Sequence, residues 1–362
     1  MKQNFEIAVF EGDGIGPEII APTVDILTKL AALDGAYSLN FTDAPAGAAH
    51  YARTGESLPE SSMDIARAAD AILLSAMGLP DVRYTDGTEI SPQIDLRKAL
   101  VLFAGVRPVT IKAGQRTPLN MPKGKEVDFV LIRESTEGLF HTQGRGEVTK
   151  NEARETLLIT REISEKLFRF AFDLANTRKS AGRGPGKVTC VDKANVFRAF
   201  AFFREMFDAE ADPPHLIADH AYVEATALWM VQKPWDFDVM VTENMFGDIL
   251  SDLGAGLMGG LGLAPSADIG LHHAVFQPCH GSAPDIAGQN SANPMAMILS
   301  AAMMLEWLGS RYDNPTMVRD GNRLRVAVDS VVAKGDVLTR DLGGTANTDE
   351  AAAAVMNKLA LT

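Results

Sequence analysis

The sequence predicts an α/β protein built on a largely parallel sheet. Three observations carry that reading. The run "EIAVF", then "EGDGIGPEII" and the apolar positions Ile19, Ile20, Val24, Leu27 and Leu30, reads as strand, tight turn and helix. Short β-prone runs then recur at "DAILLSA" (70–76), "VDFVLIR" (127–133), "KVTCVDK" (187–193) and "FDVMVTE" (237–243), with amphipathic helical stretches between them. With 362 residues, 46% of them hydrophobic, the chain can bury a large core in two domains or one large α/β unit.

Each element has a local reason. Pro17 suits a first helical turn, where a missing N–H costs nothing. The stretch "NTRKSAGRGPGK" (176–187) reads as a connection entering the next strand, not as an interdomain linker. At the end, "TDEAAAAVMNKLA" is an Ala-rich closing helix with Thr348 as its expected N-cap and acids in its first turn. No internal repeat is visible.

Composition excludes several functions. The first residues lack the basic-then-apolar order of a secretory signal, and the longest apolar run, Met295 to Leu305, falls short of the roughly 20 residues of a bilayer crossing. Two cysteines, Cys190 and Cys279, supply neither a disulfide framework nor a zinc ligand set, which favours a reducing compartment. A cytoplasmic protein without a membrane partner is expected. The net charge of −13, with no long Lys/Arg cluster, argues against nucleic acid. An anionic substrate would meet a repulsive field, so a few focused arginines would have to overcome it locally.

Asp248 and Asp252 stand four apart in "FGDILSD", on one face of a helix. Among Ile249, Leu250 and Leu253 that face is expected to be buried, and like charges there need a cation between them. With no Cys or His close in sequence, Mg²⁺ or Mn²⁺ fits best. An isolated D-x-x-x-D reads first as a solvated helix edge. Here a β-run leads through "TENMFGD" into the acids and a Gly-rich stretch follows, which puts them where a strand end opens onto a crevice.

Arg97, Arg107 and Arg133 are the candidate cations: Arg107 precedes Pro108, a bias to extended backbone, and Arg133 ends "VDFVLIR". Guanidinium groups grip carboxylates bidentately, so the three would suit a small diacid if they converge; singly, each reads as a surface ion-pair partner. The small residues of "HGSAPDIAG" (280–288) would let backbone approach a phosphate, with an acid for a ribose diol; otherwise the stretch is a plain turn. Neither it nor "GDGIGPE" is the G-x-G-x-x-G of a Rossmann domain.

Taken together, "GDGIGPE" (12–18), "SPQIDLRKALVLFAGVRPV" (91–109), "RESTEGLF" (133–140), "VDKANV" (191–196), "TENMFGDILSD" (242–252), "HGSAPDIAG" and "DLGGTANT" (341–348) resemble the β-decarboxylating dehydrogenases. That family includes isopropylmalate, isocitrate, homoisocitrate and tartrate/D-malate dehydrogenases. The resemblance spans nearly the whole chain in the family's order. It implies a two-domain α/β fold with a large twisted mixed sheet, not Rossmann. Residues 1–102 and 256–362 would form a cofactor-side domain, and 103–255 a substrate, metal and dimerisation domain.

It also implies roles. Asp248 and Asp252, with Glu224 from the other subunit, would hold the metal. Arg97, Arg107 and Arg133 would clamp the malate portion, with Ser91 and Asn195 beside it. Lys193, given across a homodimer interface, would assist deprotonation of the C2 hydroxyl. His280, Gly281, Ser282, Ala283, Asp285, Ile286 and Asn293 would bind NAD, the Asp285 carboxylate repelling a 2′-phosphate. The implied reaction oxidises a 3-substituted (2R)-malate at C2 and then releases CO₂.

Two departures bear on this. The family's tyrosine acid is Phe140 here, a ring with no proton to give; His141 is adjacent, but neighbours in an extended segment face opposite ways. Relatives carry Asp where this chain has Glu224, whose carboxylate sits about a bond length further out. Ser91, Pro92, Gln93 and Ile94 hint at a polar C3 substituent, whereas other motifs equally suit an apolar one. A non-catalytic regulatory subunit, the tartrate/D-malate branch and a dehydrogenase that does not decarboxylate are the rival readings.

Overall fold

The computed structural model describes residues 3–113, 115–211 and 215–360. Its strands, in chain order, are β1 Asn4–Phe10, β2 Ser38–Asp43, β3 Ala71–Leu74, β4 Ala104–Ile111, β5 Val127–Glu134, β6 Glu147–Val148, β7 Ala153–Arg154, β8 Lys187–Asp192, β9 Ile217–Tyr222, β10 Val239–Thr242, β11 Pro265–Ile269 and β12 Ala274–Pro278. The chain divides into two compact units, and the first is assembled from both chain ends: Met1–Leu100, Gly260–Ala267 and Leu271–Thr362. Val101–Gly259 with Asp268–Gly270 form the second.

In the first unit the strands follow the order β2-β1-β3-β12-β11, and β1 runs parallel to both its neighbours. The helix Gly16–Asp34 starts straight after the "GDGIG" turn with Pro17 in its first turn, as expected. Its inward face is Ile19, Ile20, Ile26, Leu27 and Leu30, all buried. The apolar run from Met295 lies in the helix Met295–Arg311, buried almost throughout by packing against the helix Pro315–Lys334. The closing helix is capped by Asn347 rather than Thr348. The Asn347 side chain accepts from the Glu350 N–H, and the Glu350 carboxylate accepts from the Asn347 N–H in return. That reciprocal pair satisfies two end groups where Thr348 would satisfy one.

In the second unit the order is β4-β5-β10-β8-β9. The β5–β10, β10–β8 and β8–β9 pairs are parallel, whereas β4 runs antiparallel to β5, so the sheet is mixed. The strand pairing sets Arg107 opposite Leu131 and puts Arg133 level with Thr242. The stretch 176–187 is only partly a connection, because the helix Arg161–Ser180 runs into it. Arg178 on that helix is buried and bonds Asp128 and Asp238, which holds the helix in register over the sheet.

Candidate active site

The Arg133 corner is built by three successive constraints. Strand β10 ends at Thr242, and Glu243 turns the chain by accepting from the N–H groups of Met245 and Phe246. This starts the helix Asn244–Leu257 beside the end of β5. Gly247 then lets helix and strand touch: a Cβ there would stand 2.6 Å from the Arg133 Cβ. Arg133, 4% exposed, donates from Nε to the Asn244 Oδ1 at 2.8 Å and from Nη1 to the Asp248 carboxylate. Asn244 is itself fixed, donating to the Glu137 carbonyl at 2.9 Å.

Arg107 approaches the same helix from β4. Its Nη2 lies 3.6 Å from Asp268, whose carboxylate also accepts from the Ser135 hydroxyl at 3.2 Å. Asp252 registers both guanidinium groups. Partial burial and then the Asp248 charge push its carboxyl above the usual range, opposed by Arg107 and Arg133. Two carboxylates and two guanidinium groups are therefore gathered in one unit.

The expected burial of the two acids is not found. Asp248 keeps 52% of its side chain exposed, Asp252 is exposed as well, and Ile249 points out at 63%. Leu250 and Gly254 turn inward instead, so helical spacing placed the acids on one face but not on the inner one. Water screens their repulsion and Arg133 neutralises part of it. A hard pair of oxygen donors, open to solvent and with no thiol or imidazole beside it, fits Mg²⁺ or Mn²⁺ completed by water and substrate oxygens. Among the described residues no three of His, Cys, Asp and Glu gather into a metal set.

Lys193 follows β8 on a braced turn. Asp192 is fully buried, receives two bonds from Arg204 at 2.8 and 2.7 Å, and accepts from the Ala194 N–H at 2.8 Å. The Lys193 ammonium donates to Glu224, which holds that carboxylate below its usual range. Asn195 is exposed within the same turn, which the Val196 N–H closes onto the Lys193 carbonyl at 3.1 Å. Phe140 lies in a 3₁₀ turn, Leu139–Thr142, with the Arg133 guanidinium 5.1 Å from its ring centre. The extended geometry expected for Phe140 and His141 is thus replaced by a tight turn, closed by a bond from the Gln143 N–H to the Phe140 carbonyl.

The first unit holds the remaining candidates. Gly14 has φ 59°, and the Ile15 N–H donates to the Ser282 carbonyl at 2.8 Å, so "GDGIG" and "HGSAPDIAG" are locked together. Asp13 braces that turn by accepting from the N–H groups of Ala48, Ala49 and Gly78, each at 2.8 Å. Gly281 and Asp285 stay exposed on the loop, whereas Ala283 and Ile286 are half-buried. Asn293, buried, donates to Asp341 at 2.9 Å. The His280 Nε2 is buried with no hydrogen-bond partner among the described residues, and burial lowers the affinity of the ring for a proton. An orphaned imidazole nitrogen beside a small-residue loop fits a polar cofactor edge. Ser91 stands at the N-cap position of the helix Pro92–Ala99, which carries Arg97, without a capping bond from its side chain.

A family model described as isocitrate/isopropylmalate dehydrogenase matches residues 6–355. The chain belongs to the isocitrate/isopropylmalate dehydrogenase family. It is 40% identical over 356 residues to a 3-isopropylmalate/3-methylmalate dehydrogenase of Methanocaldococcus jannaschii, covering 98% of each chain. It is 39% identical to a homoisocitrate dehydrogenase of the same organism, covering 97% of each. Among solved structures, the isocitrate dehydrogenase of Methylococcus capsulatus superposes with a TM-score of 0.84 at 35% identity, covering 98% of this chain and 99% of that one.

As a member of the isocitrate/isopropylmalate dehydrogenase family, the chain is an oxidoreductase that catalyses oxidative decarboxylation. Among its described residues no helix is long and apolar enough to cross a membrane. Sequence reasoning passed over Asn244, Asp268, Asp192 with Arg204, and Asp13, all of which brace this family's motifs here. Asp268 carried one usable signal: an acid inside the apolar run "LAPSADIG" is expensive unless paired.

Proposed function

We propose that the protein catalyses the NAD- and divalent-metal-dependent oxidative decarboxylation of a 3-substituted (2R)-malate. One observation carries this reading: Arg133 donates to Asp248 on the helix Asn244–Leu257, and Asp252 stands one turn further along that helix. A cation site and a carboxylate grip side by side suit a chelating 2-hydroxy diacid.

Arg107 and Arg133 hold the malate carboxylates; the family's motifs give Arg97 and Ser91 the same substrate, and Asn195 binds beside it. Asp248 and Asp252, with Glu224 of a second copy, hold Mg²⁺ or Mn²⁺. Lys193 of that second copy, bonded to the same Glu224, takes the C2 hydroxyl proton. The loop residues His280, Gly281, Ser282, Ala283, Asp285 and Ile286, with Asn293, hold NAD, and the Asp285 charge disfavours a 2′-phosphate. When bound, NAD accepts the C2 hydride and the cation polarises the new carbonyl so that CO₂ can leave. In this reading the first unit is the cofactor side and the second the substrate and metal side.

A homodimer follows from the same reading. Leu228, Val231 and Ile249 are 53%, 51% and 63% exposed on the neighbouring helices Val223–Gln232 and Asn244–Leu257, an apolar surface a second copy would cover. For the C3 substituent, the Gln93 Oε1 is buried with no hydrogen-bond partner among the described residues, one turn before Arg97. An acceptor left to satisfy supports a polar substituent.

The test measures NADH and CO₂ together with Mn²⁺ and a panel of isopropylmalate, homoisocitrate, isocitrate, (2R)-malate and tartrate. NADH and CO₂ in equal amounts are expected. NADH without CO₂, or no NADH with any compound, would overturn the proposal.

A further inference from the structure

Asp268 is fully buried, yet it carries a charge into the second unit at the end of β11. Its carboxylate is seated against β4: a Cβ on Gly105 would come within 2.5 Å of the Ser135 Oγ and 3.1 Å of the Asp268 Oδ1. The partner it meets there is Arg107, only 5% exposed, with 3.6 Å between Nη2 and Oδ1. A buried guanidinium with a counter-ion is tolerable, and the same group stripped of it is strongly destabilising.

We infer that Asp268 is the resting counter-ion of Arg107, compensating the guanidinium's charge and orienting it while the site is empty and competing with the incoming substrate carboxylate for it. The inference rests on Arg107 being a carboxylate grip. Its consequence is a trade between stability and affinity. A guanidinium offset by one more buried carboxylate attracts an anion less than the same group beside an uncharged side chain, so Asp268 weakens substrate binding while it stabilises the empty protein. Asp268 acts through Arg107 and is a positioning residue.

The two effects have opposite signs, which a merely structural role cannot produce. The probe is (2R)-malate with Mn²⁺, titrated by calorimetry, alongside thermal unfolding with and without it. Asp268→Asn keeps the shape and removes the charge. It should lower the melting temperature of the unliganded protein and tighten (2R)-malate binding about threefold to tenfold. Asp268→Glu, which keeps the charge, should not tighten binding. Should Asp268→Asn fail to fold, Asp268→Ser is smaller, uncharged and carries the same expectation. Unchanged or weaker binding in the uncharged variants, while Arg107→Gln weakens binding, would overturn the inference and leave Arg107 a carboxylate grip. If Arg107→Gln binds (2R)-malate as the unaltered protein does, the grip itself is wrong and the counter-ion role falls with it.

Discussion

The Arg133 guanidinium donates to the carboxylate of Asp248, a residue 115 positions later in the chain, while its Nε is held by Asn244 on the same helix. Arg133 is buried and Asp248 is half in solvent, so the pair presents one anion-binding group and one cation-binding group at a single surface.

Arg133→Lys removes the planar fork that engages Asn244 and Asp248 at once, because an ammonium on a flexible stem cannot reproduce both directions. We expect kcat/KM for the diacid to fall about tenfold to hundredfold, in line with about 1.5–3 kcal/mol for a charged hydrogen bond. Steady-state kinetics checks it; an unchanged KM would remove Arg133 from substrate binding.

Asp252→Asn should move two observables in opposite directions. Without metal, loss of the like-charge contact with Asp248 should stabilise the protein by roughly 0.2–0.5 kcal/mol. The Mn²⁺ concentration for half-maximal activity should rise at least about tenfold. Denaturant unfolding in chelator, paired with a Mn²⁺ titration of activity, reads both. Chelator treatment of the unaltered protein should abolish turnover reversibly.

Glu134 sets a pH dependence of stability. Burial is the largest influence on it and pushes its carboxyl up to about 7, against bonds from the Thr136 hydroxyl and the N–H groups of Thr136 and Glu137. A raised carboxyl means that the folded chain holds the proton over a range where the unfolded chain has lost it. The cost is therefore absent below about pH 4.5, grows as pH rises and is complete above about pH 7. Glu134→Gln cannot ionise, so its stability relative to the unaltered protein should improve from pH 5 to pH 8. Urea unfolding at both values checks the sign, and a difference that shrinks would show the carboxyl to be charged throughout.

His280→Ala removes the buried imidazole whose Nε2 awaits a partner, and should raise KM for NAD about fivefold to thirtyfold with little change in KM for the diacid. Asp285→Asn should narrow the preference for NAD over NADP about tenfold by removing one charge facing a 2′-phosphate. Equal KM effects on both substrates would place either residue outside the cofactor site.

Much of the molecule was readable in one dimension. The strand, turn and helix at residues 4–34 formed where apolar periodicity and Pro17 put them, and β5, β8 and β10 begin and end within two residues of the runs that foretold them. Such elements are decided by neighbours a few residues away. The arginines and acids could be named because few residue types grip a diacid or a hard cation. What stayed hidden was direction: a period of 3.6 put Asp248 and Asp252 on one face without saying that Leu250 and Gly254 would take the inner one.

Amino-acid order alone determined the α/β class, the motif set and the chemistry those side chains can perform. Tertiary structure decided which charges meet. Asn244 under Arg133, Asp268 under Arg107 and Arg204 on Asp192 are pairings across strands and helices. No local propensity encodes them, because the energy that selects each is the cost of a buried charge without a partner, which exists only once the chain has packed.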